Sequence, residues 1–466
     1  MSRVLFLQCY RRPPGEPVGP RYEASLGVLS AMLKADGHTT RLIPVTHFDA
    51  AALGAALKEA CPDVVLVHID GTAVDLARRT LGALAETGPP PIVAAGTFAT
   101  LMPSTALSMP AVNAVIVGEV EEAFRGWVRS GLSGSASDSR VPGVMLRSEG
   151  RPATFRPAPL IDDLDALPPA DRSIFGYPPS HPCFDIVTSR GCPMRCAYCT
   201  NDALRGLHDD PPGFVRRRSP DHVCDEIDEL CMNFPETQRL RFPDHAFALD
   251  YAWLESFADV YAHRCGLPFS CHLRANSVDE PTVEALDAAG CDEAEIEIVS
   301  GSNFIRNEIL EMDTSARQIE RAFELLGDRG IRTRSINYVG APYSSEITES
   351  DTVRLNRRLK PDFVQVRVYY PFPNTRAAGI AEEMGWMSNR GEVCFAEDRS
   401  VLDMPTLPAK TIARVARRMA QDISEPPRQG WRAALGRLPI FPGWRLSDVL
   451  GTWLDPRGGD AVAPRR

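Results

Sequence analysis

The strongest constraint on the fold is a repeated alternation of short apolar runs with segments of helical period. Over the first 130 residues, Val4–Cys9, Thr40–Pro44, Asp63–Ile69, Pro91–Ala95 and Ala114–Val117 read as strands. Ala24–Asp36, Asp49–Ala60 and Val74–Glu86 between them read as helices. A run such as Val64–Ile69 has no polar face, so both faces of its strand must be covered. That is the property of a parallel sheet with helices on either side, and it predicts an α/β, doubly wound, Rossmann-like domain. Ligands of such sheets lie beyond the carboxyl ends of the strands. The turns there are Asp70–Thr72, Gly96–Thr100 and Gly118–Glu121, which makes Asp70, Gly71, Gly96, Thr97, Gly118 and Glu119 candidate ligand contacts.

The alternation then breaks. Ser130–Ser139 is rich in Ser and Gly and Pro152–Pro179 in Pro, both linker compositions. Ile161–Pro169 (IDDLDALPP) reads as an extended segment wrapping a neighbouring domain. A second alternation follows. Its strands are Phe184–Thr188, Arg239–Phe242, Phe269–Arg274, Glu293–Val299, Arg332–Val339 and Phe363–Tyr369. Its helices open at Ser219-Pro220 and cover Tyr251–Arg264, Asp279–Ala289 and Thr314–Arg329. Six strands leading into helical sequence predict a partial TIM-like barrel. The expected organisation is a Rossmann-like domain over 1–140, a linker over 141–180, a partial barrel over 181–376 and a small, mostly helical region over 377–466. The last region contains a helix at Thr411–Asp422 and Trp431, Trp444 and Trp453, which either cover a ligand or form a small core of their own.

Composition excludes several classes. With 61 acidic against 51 basic side chains the net charge is −10, the wrong sign for a general nucleic-acid binder. No apolar run approaches the roughly 18 residues that cross a bilayer. The N-terminus, MSRVLFLQCYRRPPG, reads as a first strand in preference to a signal peptide. Twelve cysteines in 466 residues are too sparse for a disulfide scaffold and point to a reducing cytoplasm.

Three of those cysteines are placed unusually. Cys192-Pro-Met-Arg-Cys196-Ala-Tyr-Cys199 follows the first barrel strand, in a loop opened by Arg190-Gly191. Three thiolates at C-x3-C-x2-C can ligate three irons of a [4Fe–4S] cube and leave the fourth iron open for inner-sphere chemistry. A structural zinc would need a fourth ligand from Cys183, Cys224 or Cys231, none of which lies at a paired spacing. Three free cysteines are the remaining alternative.

With this motif the chain resembles the radical SAM enzymes that carry an N-terminal cobalamin-binding domain. The resemblance covers roughly residues 1–375. It includes Pro62–Val65, Gly118–Glu121, Val141–Val144, Asp162–Pro169, Phe242–Phe247, Ala289–Cys291, Ser300–Ser302, Gly340–Pro342 and Pro371–Thr375. It implies that S-adenosylmethionine chelates the open iron and is cleaved to a 5′-deoxyadenosyl radical that abstracts a substrate hydrogen. In the cobalamin subgroup, methylcobalamin often then delivers a methyl group. The implied cofactors are the cluster, S-adenosylmethionine and cobalamin. The implied partners are a small-molecule substrate and a reductant such as flavodoxin or ferredoxin, with no nucleic acid and no membrane.

The resemblance also assigns residues. Cys192, Cys196 and Cys199 are the metal ligands. Tyr198 stands where the family places an aromatic near the adenine, although simple packing explains it equally. Asp244 matches the first acid of the family's acidic pair and His245 stands in place of the second; a capped turn and a structural histidine are the plain alternatives. Strand parity adds an independent handle. His272 and Arg274 share a face, as do Glu295, Glu297 and Val299, and Gln365, Arg367 and Tyr369. These polar sets are expected to line the barrel interior, with their apolar neighbours on the outer helices. Glu297 is expected to pair with Arg274 or Arg367, because either charge buried alone is costly. It also stands in for the glutamate that the family often has directly before Ser300, where this chain has Val299. Ser300 and Asn337, at strand ends, are candidates for the ribose and methionine groups.

The D-x-H-x-x-G cobalamin signature is absent, since the only His ahead of a strand, His38, has the wrong spacing. Members of this subgroup bind cobalamin without it. The Gly96 turn (AAGTFAT) has one Gly where the family commonly has two, and Ala95 restricts close backbone approach. The alternative is a domain that keeps the fold and has lost the ligand. Three functions follow: a cobalamin-dependent C-methyltransferase of natural-product or cofactor biosynthesis; a radical SAM cyclase, oxidase or rearrangement enzyme with cobalamin in a redox role or absent; or a non-catalytic iron–sulfur or zinc protein. Acids, arginines and a Gln in the interior favour a polar substrate.

Overall fold

The computed structural model describes residues 1–11, 21–131, 141–147, 156–208, 213–245, 247–387, 399–425, 439–441 and 444–445. Contacts divide the chain into a large unit, Met1–Ala420, and a small unit, Gln421–Arg466.

The large unit opens with β1 (Arg3–Cys9), α1 (Ala24–Ala35), β2 (Thr39–Val45), α2 (Ala50–Ala60), β3 (Val64–Ile69), α3 (Val74–Ala85) and β4 (Ile92–Ala95). Two short helices, α4 (Thr97–Leu101) and α5 (Pro103–Ser108), precede β5 (Val112–Ile116) and α6 (Val120–Arg129). These strands form a parallel sheet in the order β2-β1-β3-β4-β5. Both faces are buried, as the continuous apolar runs require. Leu5, Leu7, Val65 and Val67 pack on Leu53, Leu76 and Leu81, while Val4, Phe6 and Leu66 pack on Leu26, Phe124 and Trp127. The segment expected to be a linker contributes β6 (Val144–Leu146), which adds an antiparallel edge beside β5. Most of Ser130–Ser139 and the start of the Pro-rich stretch lie outside the described residues.

The second half builds a curled half-barrel. Its elements are β7 (Cys183–Asp185), β8 (Ser189–Arg190), α7 (Thr200–Gly206), β9 (Arg216–Arg217), α8 (Pro220–Asn233), β10 (Arg239–Phe242), α9 (Tyr251–Arg264), β11 (Phe269–Leu273) and α10 (Glu280–Ala288), followed by β12 (Cys291–Val299), α11 (Ala316–Asp328), β13 (Arg332–Val339), α12 (Glu346–Leu359), β14 (Phe363–Val368) and α13 (Arg376–Glu383). Six strands pair in parallel in the order β7-β10-β11-β12-β13-β14, and β8 and β9 form a separate antiparallel ribbon. Helix starts follow their caps: Ser219, Asp250, Asp279 and Ser315 each accept a backbone N–H from the first turn. Ala294, Ile296 and Ile298 pack against the helices, with Ile319, Phe323 and Leu326 of α11 among their neighbours. The alternate residues face inward and pair as charges: Arg241 with Asp185 at 2.7 Å and Arg334 with Glu293 at 2.8 Å.

Helix α14 (Ala409–Ser424) reaches the C-terminal unit, where β15 (Pro439–Phe441) and β16 (Trp444–Arg445) form a small antiparallel hairpin. Trp431 and Trp453 lie outside the described residues. Among the described residues no helix is long and apolar enough to cross a membrane. The eleven described cysteines are all unpaired.

Candidate functional site

The cysteine loop leaves β8 through Gly191, whose φ is +82°. A Cβ there would lie 2.2 Å from the Phe214 carbonyl oxygen, so only glycine fits. Beyond it the loop is held on both sides. The Ala197 N–H donates to the Leu310 carbonyl at 2.9 Å, and the Ala197 carbonyl accepts from the Ala377 N–H at 2.9 Å. Arg376 grips the Arg195 carbonyl and Glu311. Helix α7 starts directly after Cys199.

Cys192, Cys196 and Cys199 share one cavity of about 1000 Å³. Cys192 and Cys196 are buried and Cys199 is half-buried. Burial pushes all three thiols above the ordinary range, Cys199 to about 12. Arg274 works against that shift at Cys196, donating from Nη1 to Sγ at 3.3 Å while Nη2 holds the Met312 carbonyl at 2.7 Å. Neutral thiols with a guanidinium aimed at one sulfur suit a metal centre that takes them as thiolates. The donor set fits a three-cysteine iron–sulfur cluster, with Arg274 as a hydrogen-bond donor to its sulfur shell.

The same cavity collects most of the interior residues expected from parity. His245, Arg274, Glu297, Arg367 and Tyr369 all line it, together with Tyr198. Tyr338, on β13, had not been singled out; its spacing from Arg332 and Arg334 carries the same parity signal. Glu297 is held differently from expectation. Neither Arg274 nor Arg367 lies within 4.0 Å of its carboxylate. Tyr198 donates to Oε2 at 2.9 Å and Tyr338 to Oε1 at 3.4 Å, and His272 Nε2 stands 4.0 Å away. Tyrosine hydroxyls satisfy the buried carboxylate without the desolvation of a second charge. Burial opposes a charged Glu297, but His272, His245, Arg274 and the Tyr198 hydrogen bond more than offset it, so its carboxyl stays below the ordinary value. Burial pushes the His272 imidazole down to about 4, leaving it neutral at physiological pH. Arg367 is exposed at the rim, and with the Gln365 amide turned so that its oxygen faces the guanidinium, Arg367 donates to it at 3.0 and 3.3 Å. The Tyr369 hydroxyl is buried in the same cavity without a partner.

Three expected contacts lie elsewhere. The Asp244 carboxylate is fully engaged by the strand leading into the cysteine loop. Oδ1 accepts from Thr188 N at 2.9 Å, Ser189 N at 2.5 Å and Ser189 Oγ at 2.7 Å, and Oδ2 accepts from Thr188 N at 3.1 Å. It positions that strand and the neighbouring His245 and presents nothing to the cavity. Asn337 points to the helix side, where its Nδ2 donates to Ser335 Oγ at 3.1 Å and to the Gln365 carbonyl at 3.2 Å, and its Oδ1 accepts from Asn356 Nδ2 at 2.8 Å. The Ser300 hydroxyl accepts from Ser302 N at 3.2 Å and the Ser300 carbonyl from buried Arg306 at 2.7 Å, outside the cavity lining. Each sits at a strand end, as expected, but on the face that packs or turns.

A second cavity, of about 950 Å³, lies beyond the carboxyl ends of β3 to β5, lined by Gly96, Thr97, Gly118 and Glu119 and by His68 and Arg190. His68 was not anticipated. It is buried, its Nδ1 has no partner, and an added Cβ at Gly96 would lie 3.0 Å from its Nε2 and 2.9 Å from the Ile69 carbonyl. A buried imidazole whose Nδ1 has no partner and whose Nε2 stands 3.9 Å from Glu23 Oε2, beside a backbone that only glycine leaves open, fits a large ligand lying close over these turns, as a corrinoid tail would. Asp70 and Gly71 do not line it. Asp70 caps its own turn by accepting from Thr72 N at 2.8 Å, and Gly71 abuts the Phe372 ring. The next residue, Thr72, reaches the cysteine cavity instead. Glu119 both lines the second cavity and ties the halves of the molecule together, accepting from Arg216 at 2.9 Å and from Ile161 N at 2.7 Å.

Comparison with known proteins agrees with this layout. Residues 186–355 match the family model of the radical SAM superfamily, and residues 19–128 match that of the B12 binding domain. The chain is 24% identical over 296 residues to an uncharacterized methyltransferase of Pyrococcus horikoshii, covering 61% of each chain. It is 24% identical over 387 residues to the anaerobic magnesium-protoporphyrin IX monomethyl ester cyclase of Rubrivivax gelatinosus, covering 80% of this chain and 68% of that protein. This chain therefore spans about three fifths of the length of the first relative and two thirds of the second. Among solved structures, the radical S-adenosylmethionine methyltransferase TsrM of Kitasatospora setae, with cobalamin and a [4Fe-4S] cluster bound, superposes with a TM-score of 0.66 at 18% identity, over 90% of this chain and 81% of that one. The cobalamin-dependent radical enzyme OxsB gives 0.61 at 16% identity, over 82% and 56%.

Proposed function

The chain belongs to the radical SAM superfamily, with a B12-binding domain ahead of its radical SAM domain, and from that premise we propose that it is a cobalamin-dependent C-methyltransferase acting on a small polar molecule in natural-product or cofactor biosynthesis. Its cofactors are a [4Fe–4S] cluster, S-adenosylmethionine and cobalamin. When bound, the cluster supplies the electron that splits S-adenosylmethionine and the corrinoid supplies the methyl group. The protein's part is to hold these groups in the two cavities. Cys192, Cys196 and Cys199 hold the cluster, and Arg274 tunes it through Cys196. In this reading Tyr198 packs on the adenine while anchoring Glu297. Glu297, His245, Arg367 and Tyr369 receive the substrate, and their polar groups select a polar one. Gly96, Thr97, Gly118 and His68 cradle the corrinoid.

The observation that carries this reading is Thr72. It follows β3 of the B12-binding domain, yet it lines the cavity of the three cysteines. The N-terminal half thus supplies part of the wall of the cysteine cavity, while Gly191 and Asn201, beside Cys192 and Thr200, line the second one, which supports methyl transfer between ligands of the two. The test is anaerobically reconstituted, cobalamin-loaded protein given S-adenosylmethionine with a deuterated methyl group and a reductant such as flavodoxin or ferredoxin. Label is expected on the corrinoid, together with 5′-deoxyadenosine. Deoxyadenosine with no label transferred overturns the methyltransferase. That outcome would favour a second reading, a cyclase or oxidase with cobalamin in a redox role, which the broader coverage by the anaerobic cyclases supports.

A further inference from the structure

The inner wall of the barrel brings together three side chains from three successive strands or strand ends: His245 after β10, His272 on β11 and Glu297 on β12. One ligand atom of each lies within 4.8 Å of the other two. The rings of His245 and His272 are 4.8 Å apart in a T-shaped arrangement. His272 Nε2 stands 4.0 Å from Glu297 Oε2 and has no hydrogen-bond partner, although the residue is 93% buried, its exposure being only 7%. A buried nitrogen aimed at a carboxylate, yet too far to bond it, leaves a gap between them.

We propose that His245, His272 and Glu297 bind a divalent first-row transition ion, separate from the iron–sulfur cluster, whose open positions take an oxygen or nitrogen donor of the substrate. Two bonds of roughly 2.1 Å at tetrahedral or octahedral angles put their donor atoms roughly 3–3.5 Å apart. Small side-chain rotations bring the present spacing to that value. Two imidazoles and one carboxylate on one side of an ion, with the other side facing a cavity, is the ligand set that binds divalent iron and its neighbours with coordination sites to spare. The surroundings are those of a supported metal ligand. A carboxylate has about four acceptor positions, so Glu297 keeps its bonds from Tyr198 and Tyr338, which fix its orientation, while it takes the ion. Asp244, clamped on Thr188 and Ser189, fixes the turn that carries His245. His245 and Glu297 line the same cavity as Arg274, Arg367 and the unpartnered Tyr369 hydroxyl. The ligand that fits is a small molecule bearing a carboxylate or vicinal oxygens, anchored by the ion and the two guanidinium groups. This substrate assignment rests on the radical SAM reading of the cavity, whereas the metal site does not.

The experiment is equilibrium dialysis of the cluster-loaded, anaerobic protein against Co(II), with metal analysis and electronic spectra. One Co(II) per chain is expected beyond the cluster's iron, with ligand-field bands and no thiolate-to-cobalt charge transfer. His245→Ala, at an exposed position, and the shape-conserving Glu297→Gln are each expected to weaken binding by more than about tenfold. Absence of stoichiometric Co(II), or equal binding by wild type and both variants, overturns the site. Deoxyadenosine formation measured on the same samples reports on the radical chemistry independently. Its loss with Co(II) binding intact would sink the reading of the function and leave the metal site standing.

Discussion

Glu349 is a buried carboxyl on α12 whose Oε1 accepts the Gly340 N–H at 3.0 Å. Burial pushes it up to about 7, against the pull of the Gly340 and Ser344 hydrogen bonds. The folded chain therefore holds this proton more tightly than the unfolded chain does. The stability it contributes is complete below the ordinary value of 4.5 and is lost as pH rises through about 7. The loss amounts to roughly 3 kcal/mol at most. Glu349→Gln should flatten that slope between pH 5 and 8 and be the more stable chain at pH 8, as read by denaturant titration at each pH. An unchanged slope would mean that Glu349 is not the titrating group. At the cavity, Cys192→Ala should remove the cluster and reduce S-adenosylmethionine cleavage to background, with deoxyadenosine the readout; retained turnover would mean that the ligands are misassigned. The cysteines were legible because their spacing is local and their chemistry specific. Glu297 was placed correctly by parity and given the wrong partners, since two tyrosine hydroxyls meet its needs as well as an arginine does and no sequence period distinguishes them. Asp244 and Asn337 were found at strand ends, but which face a terminal residue takes depends on the following turn, and that turn is tertiary.

Among the elements, the strands and the capped helices were largely readable because their signals are local: unbroken apolar runs, and Ser or Asp ahead of a helical period. Helix α12 was not. Its buried side includes Glu349, Thr352 and Asn356, so an apolar period hardly registers. Only the Ser345–Thr348 capping box marked its start. Strand β6 was hidden for a related reason: three residues are too few to show a period. The cysteine loop depends most on one turn. Gly191→Ala combines a left-handed backbone, which costs about 1–3 kcal/mol for a residue with a side chain, with a Cβ 2.2 Å from the Phe214 oxygen. The strand of β8 and the ribbon residue Arg216 must then separate, and the thiols move with them. The expected result is reconstituted protein with less than about half the wild-type iron and sulfide, while the rest of the chain, whose core does not include this turn, loses only a few degrees in thermal unfolding. Full iron content in the variant would show that the overlap relaxes without moving the cysteines.

At the scale of the whole molecule, the B12-binding and radical SAM halves are joined by buried charges. Glu121, completely buried at the start of α6, accepts from Arg190, the residue that opens the cysteine loop. Glu119 meets Arg190 at 3.4 Å and Arg216 at 2.9 Å. Burial works against the Arg190 charge, and the two carboxylates restore it and hold its pKa above the ordinary value. The sequence showed Gly118-Glu-Val-Glu as a ligand turn because such turns end parallel strands. It could not show that both acids face the other domain, since a long-range pair leaves no periodic trace. The clamp has one arm in the turn that lines the second cavity and the other at the root of the cysteine loop. Glu121→Ala leaves a mostly buried guanidinium with one distant partner, and breaking such a pair costs about 3–5 kcal/mol. If the halves unfold together, the whole transition shifts down. If they unfold separately, the single transition splits in two, because the lost energy is that of the interface. In either case the cysteines stay within their own domain, so deoxyadenosine formation should fall less than transfer of labelled methyl to the corrinoid, which needs both halves in register. Equal loss of the two activities, with a simple loss of fold, would reduce Glu121 to an ordinary core residue.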